Sequence, residues 1–164
     1  MGYLDGKSYA AKIAGCARCD RKAFEVASYI ERELQVMIGE PSQDGRWIHD
    51  EEKFIDGAYR IRCLGCGDEA YASDDCPRCK HTVGLTEALA APARVAIPKM
   101  CPKCKTTSLT VTATVPARVR TGEGQQTAPT QTARFGEPGF HVVSIACEGC
   151  DWTSKPPGCA LCGH

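Results

Sequence analysis

The chain of 164 residues is poor in the side chains that build apolar cores. Leu, Ile, Val and Phe together number 28, roughly one residue in six, and aromatic residues make up 7%. A globular domain normally draws on a larger apolar share than this. Charge imbalance is missing too: 20 basic and 20 acidic residues cancel, which is unlike the composition of a highly charged disordered chain. No run approaches the roughly 20 apolar residues of a membrane span, and no apolar run follows the initial Met as in a secretory leader. No Gly-rich phosphate loop or nucleophile elbow occurs. These absences argue against a membrane protein, against a small-molecule substrate and against an enzyme. They also require something other than apolar burial to hold the fold, either disulfides or metal.

Cysteine is what the sequence has in quantity. All 12 cysteines lie in Cys-x-x-Cys pairs: Cys16/Cys19, Cys63/Cys66, Cys76/Cys79, Cys101/Cys104, Cys147/Cys150 and Cys159/Cys162. A disulfide scaffold spreads its cysteines to staple distant segments. A Cys-x-x-Cys turn points two thiolates at one ion, and two such turns complete a tetrahedron. The expectation is metal in a reducing, cytoplasmic-type compartment. Zinc is the default ion. Iron is the lesser candidate, because the close run of three cysteines typical of iron–sulfur proteins is absent. Six pairs committed to metal leave little room for a redox dithiol.

The pairs repeat as three plus three. The first cysteines of successive pairs stand at intervals of 47 and 13 in the first half, and of 46 and 12 in the second. Cys63-Leu-Gly-Cys66 matches Cys147-Glu-Gly-Cys150. Cys76-Pro-Arg-Cys79-Lys-His81 matches Cys159-Ala-Leu-Cys162-Gly-His164. Between the first two knuckles of the second half, Leu109, Val111, Ala113 and Val115 alternate with Thr. That is a strand pattern, which Pro116 is expected to end. Residues 121–133 have the composition of a mobile hairpin tip, and Phe140 to Ala146 reads as the returning strand. In the first half, Ala23, Val26, Ala27, Ile30, Leu34 and Met37 share a helical face, so a helix at 20–38 is one reading. The repeat instead aligns Phe24, Val26 and Ile30 with Leu109, Val111 and Val115, which makes a strand; the repeat is given the greater weight. Leu34–Ile38 and Arg46–His49 would then flank a turn at Pro41–Gly45, and Ala58–Arg62 would be the strand entering Cys63.

This order of knuckle, hairpin, strand and second knuckle resembles the zinc-ribbon superfamily. The resemblance covers the long excursion of each half with the two knuckles that bound it. The compact second and third knuckles resemble those of short ribbons and rubredoxin-like appendages. The resemblance implies a small, metal-stabilised, mainly β fold: two tandem ribbon units with β-hairpin excursions. The units would be 16–81 and 101–164, after an N-terminal segment 1–15 and joined by a linker 82–100 with a short helix at Leu85–Ala91.

Twelve thiolates make three four-cysteine sites, and three pairings are open. One respects the repeat: Cys16/Cys19 with Cys63/Cys66, Cys101/Cys104 with Cys147/Cys150, and Cys76/Cys79 with Cys159/Cys162 across the units. A second pairs short-loop neighbours and leaves Cys16/Cys19 to Cys101/Cys104. A third is strictly sequential. His81 and His164, two residues past the third knuckles, are candidate ligands that would raise the count to four zincs. His49 and His141 are weaker candidates.

Two functional signals remain. Asp50-Glu51-Glu52 shares an acidic dipeptide with the hairpins of transcript-cleavage factors but lacks their flanking residues, so a solvated turn is expected. Residues 41–75 carry net charge −5, and residues 76–120 carry +7. The basic set is Arg78, Lys80, Arg94, Lys99, Lys103, Lys105, Arg118 and Arg120. It could meet phosphates or an acidic protein partner, but has no interleaved aromatics for base stacking. The expectation is therefore a non-catalytic zinc-binding adaptor or structural subunit docked in a larger protein assembly. The alternative is a nucleic-acid-associated ribbon protein of the transcription, replication or translation type.

Overall fold

The computed structural model describes residues 15–37, 40–42, 45–48, 59–71, 90–122, 125–126, 129–155 and 158–159. It is mainly β. The first half supplies β1 (Phe24–Met37), β2 (Glu40–Pro41), β3 (Arg46–Trp47), β4 (Tyr59–Cys63) and β5 (Glu69–Tyr71). The second supplies β6 (Leu109–Gly122), β7 (Gln125–Gln126), β8 (Thr130–Gln131), β9 (His141–Cys147) and β10 (Thr153–Ser154). All ten join one sheet in the order β10-β9-β6-β1-β4-β5, with β2 and β3 also on β1, and β7 and β8 also on β6. No described helix is long and apolar enough to cross a membrane.

The helical reading of 20–38 gives way to strand β1. Its even-numbered positions Phe24, Val26, Ile30, Leu34 and Val36 are buried on one face. The physical reason is non-local. β1 pairs antiparallel with β6 along an unbroken ladder from Phe24↔Thr121 to Val36↔Leu109, and such pairing overrides local propensity. The chain reverses between Met37 and Glu40, which are register partners. That is earlier than the expected turn at Pro41–Gly45, and the return continues as β3 opposite Arg32 and Glu33.

The repeat is written into the backbone register. Phe24↔Cys63 corresponds to Leu109↔Cys147, Val36↔Pro41 to Thr121↔Gln126, and Arg32↔Trp47 to Ala117↔Gln131. The seam obeys the same mapping. Phe24↔Thr121 is carried onto Leu109↔Val36, and Ile30 faces Val115, its own counterpart. A local two-fold axis therefore passes through the Ile30–Val115 pair, and the two halves meet as an isologous interface does between subunits.

Pro116 does not end its strand; β6 runs on to Gly122. The missing N–H is harmless because Pro116 lies between the end of β9 pairing at Thr114↔His141 and the start of β8 pairing at Ala117↔Gln131. Its carbonyl accepts from Thr132 N at 2.9 Å on that side. The described part of 121–133 likewise differs from a free tip, since β7 and β8 pair back onto β6. The helix expected at Leu85–Ala91 lies outside the described residues except for its last two positions. Downstream, Val95 and Ile97 pack against the second unit's core of Leu109, Val111, Phe140, Val142 and Ile145.

Candidate metal centres

Each centre is built from two knuckles at the mouth of a strand pair. In the first half, Cys16 and Cys19 precede β1, and Cys63 ends β4, paired with Phe24. In the second, Cys101 and Cys104 precede β6, and Cys147 ends β9, paired with Leu109. The sulfurs of Cys16, Cys19, Cys63 and Cys66 converge within 4.8 Å of one another, as do those of Cys101, Cys104, Cys147 and Cys150. Cys16–Cys66 and Cys19–Cys63 are each 3.6 Å apart, Cys101–Cys150 is 3.6 Å and Cys104–Cys147 is 3.4 Å. A disulfide would bring the sulfurs to about 2.05 Å. Four thiolates around an ion at about 2.3 Å would have tetrahedron edges of about 3.8 Å. The spacing is that of a tetrathiolate metal site, and the arrangement is zinc-ribbon-like. Because β1 and β6 run antiparallel, the two sites lie at opposite ends of the seam. Thirteen register pairs at about 3.4 Å per residue put those ends roughly 40 Å apart.

The knuckle loops repeat down to their hydrogen bonds. Cys16 N donates to Arg21 O and Asp20 N to Cys16 O, as Cys101 N does to Thr106 O and Lys105 N to Cys101 O. Asp20 (φ 58°) and Lys105 (φ 63°) are both left-handed, the conformation that turns the chain after the second thiolate. The matched glycines have a shared cause. Gly65 N donates to Cys63 Sγ and Gly149 N to Cys147 Sγ, each at 3.3 Å. A Cβ on Gly65 would lie 3.1 Å from Cys19 Sγ and 2.7 Å from Arg21 Cδ. On Gly149 it would meet Thr106 Cγ2 at 3.2 Å.

Proton affinities in the metal-free tetrads are split. The Cys66 N–H holds the Cys63 thiol down at about 6, against burial, with help from the Gly65 N–H. Burial opposes ionisation of Cys101, but the N–H groups of Cys104 and Lys103 overcome it and the thiol falls to about 6. The Arg21 N–H favours the Cys19 thiolate, yet burial and the neighbouring thiols push it up to about 12. Cys150 is pushed up to about 12 in the same way, against the Trp152 N–H. Metal uptake must displace the protons so retained, so affinity falls with falling pH.

Of the third knuckles, only Cys159 is described, and it is buried. Cys76, Cys79, Cys162, His81, His164, Arg78, Lys80, His49 and Asp50-Glu51-Glu52 lie outside the described residues. His141 sits in β9, 1% exposed, and neither ring nitrogen has a hydrogen-bond partner among the described residues. Burial and the Arg94 charge push its pKa down to about 4.

Among the described residues, the basic side chains of 76–120 are not gathered into one patch. Lys103 pairs with Asp151 beside the second tetrad, near Lys105 and the exposed Lys99. Arg118 and Arg120 lie toward the other end of β6, opposite Ala27 and Glu25. Arg60 and Arg62 register with the same two residues from the other side. Glu25 holds both flanking guanidiniums of its row: Arg62 Nη2 at 3.0 Å and Arg120 Nε at 3.6 Å. Counting charge along the chain missed this grouping, because Arg60 and Arg62 fall in the net-acidic segment. The available signal was Arg-x-Arg in two strands, a period that puts both arginines of each strand on one face. Compared with protein-family models, curated proteins and solved structures, the chain matches none.

Proposed function

We propose that this chain is a non-catalytic, zinc-binding structural or adaptor subunit of the zinc-ribbon type that docks into a larger protein assembly. The observation that carries the reading is the closure of both tetrads: four converging cysteine sulfurs in each would fill a tetrahedral ion's coordination and leave no position for a substrate or an activated water. Zinc is the ion of choice for such sets, being redox-inert and indifferent to d-electron geometry. In this reading the third knuckles Cys76/Cys79 and Cys159/Cys162 hold a further zinc between the units. The paired state of Lys103 and Arg120 and the separation of the basic residues favour protein docking over a nucleic-acid groove.

Native mass spectrometry of the full chain, with an oligonucleotide titration at low salt, tests this. Expected is a colourless protein with one zinc per tetrad and no oligonucleotide complex. A red ferric protein would overturn the zinc assignment, and a steeply salt-dependent oligonucleotide complex would overturn the docking assignment.

A further inference from the structure

The face shared by β4, β1 and β6 carries two successive rows of the same construction. In the first, Arg62 and Arg120 register with Glu25 from either side, and the Glu25 carboxylate reaches both guanidiniums. In the second, one step of the pleat further along, Arg60 and Arg118 register with Ala27 from either side. The arginines are placed alike, but the central side chain is a methyl group. Strand spacing puts the outer Cα atoms of each row about 10 Å apart. Glu25 shows that a carboxylate midway can engage both forks. Neither Arg60 nor Arg118 makes a side-chain hydrogen bond or ion pair among the described residues. Arg118 is exposed and Arg60 half-buried.

We infer that the slot over Ala27, between Arg60 and Arg118, is a carboxylate-binding site that receives an acidic side chain from a partner's peptide segment. The inference rests on the docking function proposed above and names the chemistry of the partner. The planar guanidinium fork matches a carboxylate bidentately, and the neighbouring Glu25 row supplies the template within the same sheet face. A nucleic-acid backbone is disfavoured by the Glu25 carboxylate one row away. Each half supplies one wall, so the slot exists only because the seam joins them.

The test uses the zinc-loaded full chain, a fluorescein-labelled hexaglutamate peptide and an oligothymidylate of similar charge, followed by anisotropy at low salt. Expected is peptide binding that weakens at least tenfold in Arg60→Gln and in Arg118→Gln. Ala27→Glu, which supplies the carboxylate internally, should abolish peptide binding while raising the melting temperature. Unchanged peptide affinity in the arginine variants, or no peptide binding by the parent, overturns the slot and leaves the docking function standing. Binding of oligothymidylate instead, lost in the same variants, overturns both.

Discussion

Replacing Cys63 by Ser should melt one end of this sheet and leave the other standing. Loss of this ligand, which also accepts the Gly65 N–H bond, disables the first centre. Among the described residues, the apolar cluster at that end is Phe24, Val26 and Ile61 around Cys16 and Cys63. Burying three such side chains contributes about 7 kcal/mol. Ordering the roughly 20 residues of 16–23 and 59–71 costs about 20 kcal/mol at the low end of the backbone scale. The shortfall of about 13 kcal/mol falls within the range of about 10–16 kcal/mol for a structural zinc. Without the ion the cost of ordering this end exceeds what its apolar cluster supplies. The second centre abuts a larger cluster that runs from Leu34 and Val36 through Val111 and Val115 to Phe140, Val142 and Ile145. In Cys63→Ser, hydrogen exchange should therefore lose protection in β4 and β5 by about a thousandfold or more, while amides between β6 and β9 stay protected. Native mass spectrometry should show one zinc fewer. The matching Cys147→Ser should lose one zinc but keep residual protection in β6. Full protection of β4 in Cys63→Ser, or collapse of protection throughout β6 and β9, would refute the reasoning.

Gly45→Ala should destabilise by about 1–3 kcal/mol in chemical denaturation, because the added Cβ would lie 2.5 Å from Glu33 O and 2.1 Å from Leu34 Cδ2. His141 makes folding pH-dependent. Its pKa is pushed down to about 4 in the folded chain by burial and Arg94, against about 6.5 unfolded. The stabilisation from keeping it neutral is complete above pH 6.5 and is lost as pH falls toward 4, by up to about 3 kcal/mol. His141→Leu should therefore gain on the parent progressively from pH 6.5 to 4, measured as the difference between paired denaturation curves, since acid-driven metal loss acts on both. Lys105→Asn should stabilise by up to about 1 kcal/mol in thermal melts, because Lys105 is left-handed at φ 63° and Asn tolerates that conformation better.

Much of the metal chemistry was legible in the residues alone. Cys-x-x-Cys spacing named the ligands, because a knuckle is a local turn whose geometry depends on a few adjacent residues. The matched intervals offered these two tetrads as the repeat-respecting one of three pairings, and the fold brought them together. The strand before Pro116 and the return from Phe140 were equally local, being period-two patterns. The strand at Phe24–Met37 was ambiguous because its apolar residues satisfy a helical face as well, and only the repeat tipped the balance. What decided it is the ladder with β6, which lies in the other half of the chain. That ladder also overrode Pro116, placed the two tetrads at opposite ends of one sheet, and brought Arg60 of one half beside Arg118 of the other. None of this has a local signature: backbone pairing is made by N–H and C=O groups that every residue but proline carries in full. Sequence by itself thus determined which residues could grip a metal. Only the tertiary pairing decided that the two cysteine-bounded halves share a seam, and which residues face each other across it.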